Sequence, residues 1–234
     1  MEDITPALLE KLQKRFSEKI SVNPKIRALD KKIRAGQATY ADAEDYAYLI
    51  GTALSEVFRE NLSSAVLPEG KFYFNIAERI LSTMLGENHR LVSEATEIVQ
   101  NFLNKSADLG LKAQLAPVNQ NRIIGLVNKV AKAERFDDVA WVLDEPVKNF
   151  TMAVVDDILK ANVEFQGKAG LSPVIVRKAM WRCCEWCSKL EGIYSYPVEN
   201  NDIYRRHERC RCRVEFDPKT GRRQNVYNKA WTEI

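Results

Sequence analysis

All five cysteines of this 234-residue chain fall between positions 183 and 212, and no other feature restricts its folding so tightly. An odd, clustered set is a poor disulfide scaffold and reads better as reduced thiols around a local metal site. Cys183-Cys184-Glu185-Trp186-Cys187 is followed, after a span holding Gly192 and Pro197, by His207-Glu208-Arg209-Cys210-Arg211-Cys212. Cys184-x2-Cys187 is the close pair of a zinc knuckle. Two thiolates from one tight turn can meet Zn2+ at about 2.3 Å with little loss of loop-closure entropy. A second group from 207–212 completes a tetrahedron. Cys184, Cys187, Cys210 and Cys212 would make a four-cysteine site. Cys184, Cys187, His207 and either Cys210 or Cys212 would make a site of three cysteines and one histidine, and both sets stand open. Cys183 reads as a spare buried thiol, with the register Cys183/Cys187 as the alternative. Disulfides between the two groups, or plain buried thiols, are the competing explanations. Clamped either way, the cluster closes a loop of about 20 residues whose expected role is structural, since so short a segment has little core of its own.

A catalytic zinc would need an open coordination position and acid/base groups nearby. Glu185 and Glu208 are close in sequence, yet neither lies in an H-E-x-x-H arrangement, and the only other histidine, His89, falls in the helical body. The pattern H-x-E with P-C-x-x-C, needed for nucleobase deamination, is missing as well. So are the phosphate-binding glycine motifs G-x-x-x-x-G-K-[ST] and G-x-G-x-x-G. No enzymatic activity is expected, and a zinc-dependent nuclease is the weakest of the alternatives.

Charge is unevenly spread. Residues 161–234 hold 14 Lys/Arg against 9 Asp/Glu, whereas the first 160 hold 21 against 23. Arg205, Arg206, Arg209, Arg211, Arg213, Arg222 and Arg223 crowd the metal segment and are candidate contacts to nucleic acid or to a protein partner. From Cys210 to Phe216 the sequence alternates, which predicts a strand with Cys210, Cys212, Val214 and Phe216 inward and the arginines outward. Asp217-Pro218-Lys219-Thr220-Gly221 is a turn signal, and 224–231 is read as the returning arm of a basic hairpin.

Upstream the pattern is helical. Leu8, Leu9, Leu12 and Phe16 make a first stripe, Ile26, Leu29 and Ile33 a second, and Tyr46 to Phe58 a third within 41–60. An apolar segment at 72–85 precedes the clearest helix, 88–109, with Gly110 as its expected stop. Further helical pieces are read at 119–133 and 136–143, then one from a cap at Asp144 with Pro146 in its first turn. Gly167 and Gly170 mark the main boundary, after which Ser172-Pro173 is expected to restart a helix running to Trp181. The predicted fold is mainly α: a helical body over 1–165, with 1–65 as a separable arm, and a zinc-knuckle-like α+β segment over 171–234. No stretch reaches the ~20 apolar residues of a membrane span, and the acidic start Met1-Glu2-Asp3 differs from the basic leader of a signal peptide.

On Cys184-Glu185-Trp186-Cys187, with Leu190 and Gly192 behind it, and on His207-Glu208-Arg209-Cys210-Arg211-Cys212, the chain resembles phage minor head proteins of the head-morphogenesis family related to the Mu F protein. In that family a helical body precedes a C-x2-C pair and an H-P-x-C-R-C segment. The likeness covers about 90–216, and Glu208 stands where the family often has proline. The resemblance implies a low-copy virion structural protein near the portal or capsid interior, present in the host cytoplasm during assembly. Its implied partners are portal and major capsid protein in a multimeric assembly, with packaged double-stranded DNA as a further contact. A zinc-stabilised nucleic-acid-binding protein outside virions is the main alternative.

Overall fold

The computed structural model describes residues 3–181, 183–218, 222–224 and 231–233. The chain is mainly helical, with a small sheet and the Cys/His cluster near its C-terminal end. Helices α1 (Thr5–Val22) and α2 (Pro24–Arg34) meet at Asn23, whose side chain accepts from the amides of Lys25 and Ile26 while Pro24 occupies the first turn. Helix α3 (Tyr40–Asn61) starts where the Asp42 carboxylate accepts from the Thr39 amide at 2.8 Å. The expected segments at 72–85 and 88–109 prove to be one helix, α4 (Phe74–Ser106), which continues through Gly86. It stops four residues short of Gly110, and Asp108 takes the left-handed conformation after its end.

Helix α5 (Gln120–Ala131) follows, then two short 3-10 turns over Phe136–Leu143 in place of the expected helix, then α6 (Glu145–Lys168). Asp144 sits at the cap position of α6, but its carboxylate is taken by the Ser55 hydroxyl at 2.6 Å and by Lys148 at 2.7 Å. The bond it was expected to make to the helix amides is therefore replaced by a tie to α3.

Helices α3 and α6 pack against each other along the centre of the body. They approach so closely that a Cβ on Gly51 would lie 2.8 Å from Thr151 Oγ1 and 3.0 Å from the Lys148 Cα. A buried amide chain crosses the same core. Tyr40 donates to Gln100 at 2.5 Å, and Gln100 and Gln166 both donate to the Asn104 carbonyl oxygen, at 2.7 and 2.9 Å. Asn162 pins the α4–α5 connection by accepting from the Gln114 amide and donating to its carbonyl, at 2.9 and 2.8 Å. These bonds satisfy polar groups that would otherwise be costly to bury.

Beyond α6 one expectation fails. Residues 174–178 form strand β1 (Val174–Lys178), not a helix begun by Ser172-Pro173. The β-branched run Val174-Ile175-Val176 resists helix and suits a pleat. Its pairing partners lie far along the chain, in β2 (Gly192–Ser195) and β3 (Arg213–Asp217), so local reading could not supply them. The sheet order is β2-β1-β3, antiparallel throughout, with Ile175 between Tyr194 and Phe216. Ile175, Val214 and Phe216 join the apolar core of the helices, and a Cβ on Gly167 would strike the ring of Tyr196. The expected turn and returning arm fall largely at 219–221 and 225–230, outside the described residues; of that stretch, β4 (Arg222–Gln224) pairs antiparallel with β5 (Trp231–Glu233).

Candidate metal centre

Antiparallel pairing of β1 with β3 sets the C-terminal end of one beside the N-terminal end of the other, Lys178 facing Arg213. The residues that follow β1 and those that precede β3 are thereby brought to the same end of the sheet. After β1 the chain enters a short helix, α7 (Glu185–Lys189), with Cys184 as its cap, the Cys184 sulfur accepting from the Cys187 amide at 3.4 Å. One turn later Cys187 points inward and is fully buried, while Cys184 stays at the surface. On the other side, a turn closed by the Cys210 amide on the His207 carbonyl, with Arg209 in the left-handed region, delivers Cys210 and Cys212 to the same pocket.

All five expected ligands converge. Cys184, Cys187 and His207 form one group, and Cys187, Cys210 and Cys212 a second, with the ligand atoms of each group within 4.8 Å of one another. Cys187 is the shared corner. His207 Nε2 lies 3.1 Å from the Cys187 sulfur and 3.3 Å from that of Cys184, and the Cys187 and Cys210 sulfurs are 3.7 Å apart. A tetrahedron with metal–sulfur bonds of about 2.3 Å has edges of about 3.8 Å, so these separations are on the scale that one ion spans. His207 Nδ1 sits 2.6 Å from the Glu208 carbonyl, which fixes the proton on that nitrogen and leaves the Nε2 lone pair toward the sulfurs. Such a cluster could hold a metal ion. All five cysteines are free thiols, so no disulfide joins the two groups, and Cys183 packs at the cluster's edge without joining either triad.

The electrostatics suit the same conclusion. Burial, together with the neighbouring Cys212 and Cys210, pushes the Cys187 thiol far up, and burial raises Cys210 as well. Cys184, at the surface, is lowered by the Cys187 amide that its sulfur accepts. Several thiolates can share so dry a space only if a cation draws the protons off.

The arginines depart from expectation. The Arg206 side chain is 2% exposed and turns inward, not outward. It forks onto Asp156 at 2.5 and 2.8 Å, reaches Glu44 at 2.8 Å and donates to the Cys212 carbonyl at 2.9 Å. Burial lifts the Glu44 carboxyl to about 7 against the opposing pull of Arg206. Arg213 also turns to the body, bonding the Ala41 carbonyl and Asp45, and Arg211 lies over the Tyr48 ring at 3.5 Å. The reason is an acidic face on α3 and α6 that the alternating pattern could not reveal. Arg205 and Arg209 do stay exposed, the first paired with Asp202 at 3.0 Å and the second 4.0 Å from Glu208. Arg222 and Arg223 lie on β4, and their side chains are outside the described residues. Of the exposed lysines here, Lys178 pairs with Glu215 and Lys189 with Glu185. Among the described residues, the strip that reads as basic in sequence is thus largely paired or turned inward.

Sequence reading missed Arg177, which is 1% exposed on β1 beside Cys187. Nothing in its neighbours marks it as internal except the apolar run before it. The carboxylate pair Glu44 and Asp156 was missed as well, since only the apolar positions of their helices carried a signal.

No family model matches the chain, no curated protein matches it, and no solved structure matches it. Among the described residues no helix is long and apolar enough to cross a membrane.

Proposed function

We propose that this chain is a structural head protein of a phage virion, docked near the portal or the capsid interior, where it assists head morphogenesis or DNA delivery without catalysing a reaction. One observation supports the reading: the Cys/His residues on which the resemblance rests, 20 or more positions apart between Cys187 and His207 or Cys210, meet in two triads that share Cys187. The ion they suit best is Zn2+, because thiolates and imidazole at tetrahedral spacing favour it over cations that seek oxygen. Zinc would cross-link α7 to the 207–212 loop. Binding free energies of about 10–16 kcal/mol for zinc in small finger peptides give the scale of such a clamp.

The clamp and the buried Arg206 together fasten the C-terminal segment to the helical body, which makes a rigid part for a larger assembly. Exposed Met180, Trp181 and Ile193 on that segment suit a protein neighbour better than open water. With most of the described arginines turned inward or paired, portal or capsid protein is a better partner than packaged DNA, and among the described residues of the 205–213 strip Arg205 and Arg209 are the exposed arginines, each beside an acidic neighbour.

Co-expression with the portal and major capsid proteins encoded in the same genome tests the reading. The chain should sediment with portal rings or procapsids. If it stays apart from them and instead binds duplex DNA with a steep salt dependence lost on charge reversal of Arg205 and Arg209, the nucleic-acid reading replaces this one. Metal-dependent cleavage abolished by substituting Glu185 or Glu208 would establish the nuclease.

A further inference from the structure

Two arginines are buried beside the Cys/His cluster, and they are treated differently. Arg206 meets two carboxylates. Arg177, the largest of the fully buried side chains, meets none among the described residues. Its Nη1 donates to the Ile203 carbonyl, and its Nη2 donates to the Arg205 carbonyl at 3.1 Å and reaches the Cys187 sulfur at 3.9 Å. The Trp186 ring lies 5.7 Å from the guanidinium carbon, and Nε has no hydrogen-bond partner among the described residues.

A guanidinium keeps its proton in any protein interior, so Arg177 cannot escape burial by becoming neutral. Carbonyl oxygens and an indole face soften the penalty but bring no counter-charge. Among the described residues, the one group in contact that can become an anion is the sulfur of Cys187. A divalent ion held by three thiolates and a neutral imidazole carries one net negative charge, and one held by four thiolates carries two. Either complex would complete the balance that the protein alone leaves open.

Resting on the metal reading above, we infer that Arg177 is the built-in counter-cation of the metal centre, a positioning residue that favours a thiolate-rich anionic complex and ties it to the loop carrying His207. The carbonyls it holds, at Ile203 and Arg205, lie four and two residues before that histidine. One side chain therefore senses the sulfur on one side of the ion and fixes the backbone that leads to the nitrogen on the other.

The test uses the full chain and zinc itself, with affinity measured by competition against a chromophoric chelator. Arg177→Gln keeps polar contacts and removes the charge, whereas Arg177→Lys keeps the charge and loses the planar fork. The Gln variant should bind zinc about 10–100-fold more weakly, the range for outer partners of metal ligands, and Lys should recover most of that loss. With Co2+ in place of zinc, the thiolate-to-metal charge-transfer band should persist in the Lys variant and weaken in the Gln variant. Equal losses in both would reduce Arg177 to a backbone hub and overturn the inference, as would a Gln variant that binds like the parent. If the parent chain binds no zinc, the metal reading itself falls, a result distinct from either. Should neither variant fold, a zinc-loaded crystal structure of the parent decides. A guanidinium nitrogen within about 3.5 Å of the zinc-bound Cys187 sulfur supports the role, and a guanidinium turned away refutes it.

Discussion

The helical body and the C-terminal Cys/His segment solve the same problem, burying a chain in water, by different means. The body packs long helices around a continuous apolar core and joins part of its buried polar set through neutral amides such as Gln100, Asn104 and Asn162, while the buried Asn88 side chain has no hydrogen-bond partner among the described residues. The segment after α6 offers, among the described residues, five short strands and one short α-helix, and it adds charge and sulfur to its interior: Arg177, Arg206 and the thiols of Cys187, Cys210 and Cys212. Apolar packing is forgiving of small errors, whereas buried ions and metal ligands fail when a single partner is lost. The body should therefore tolerate most single changes, and the segment should not.

The sharpest way to break that contrast is to remove Arg206. Arg206→Met preserves bulk but leaves Asp156 and Glu44 buried without their cation. Urea denaturation should show a loss of about 3–5 kcal/mol. A cost below about 1 kcal/mol would mean that the ion cluster is dispensable and that the two regions differ less than described.

Next comes pH. Burial holds the folded-state Glu44 carboxyl at about 7 against an ordinary 4.5. The folded chain then keeps this proton where the unfolded chain has lost it. The stability so contributed is whole below about pH 4.5 and is lost as pH rises through about 7, on the order of 3 kcal/mol at most. Denaturation at pH 5 and at pH 8 should show this slope in the parent and a flatter one in Glu44→Gln. An unchanged slope would assign the effect to other groups.

Two changes in the body calibrate the comparison. Gly51→Ala forces a methyl toward Thr151 and the Lys148 backbone, and should cost about 1–3 kcal/mol because the α3–α6 approach has no slack. Asn23→Ala removes the acceptor for two amides at the start of α2, and thermal melts should report about 1 kcal/mol. Asn23→Ala should leave metal binding unchanged, whereas Gly51→Ala presses on the turn of α6 whose Asn149 donates to the His207 carbonyl at 3.1 Å and should weaken it slightly.

What could be read from sequence follows the same division. Helices α3, α4 and α6 announce themselves because the apolar period is local and long. The clustering of Cys184, Cys187, His207, Cys210 and Cys212 was legible because the residue types are few and chemically committed, and the alternation of Cys210, Cys212, Val214 and Phe216 correctly forecast which side is buried. Strand β1 was not legible, because a strand exists only with its partners and those begin at Gly192 and Arg213. The inward turn of Arg206, Arg211 and Arg213 was hidden for a related reason: arginine looks the same in sequence whether it meets water or Asp156, Tyr48 and Asp45.

Everything here depends on one ion joining α7 to the 207–212 loop, and hydrogen exchange of the full chain, with and without a chelator, addresses that most directly once bound metal is counted. One zinc per chain is expected, and its removal should speed exchange across Val174–Lys178, the 184–190 turn and Arg213–Asp217 while leaving α3, α4 and α6 protected. A chain purified under reducing conditions that carries no stoichiometric metal, takes up none, and exchanges identically in both states would contradict the account.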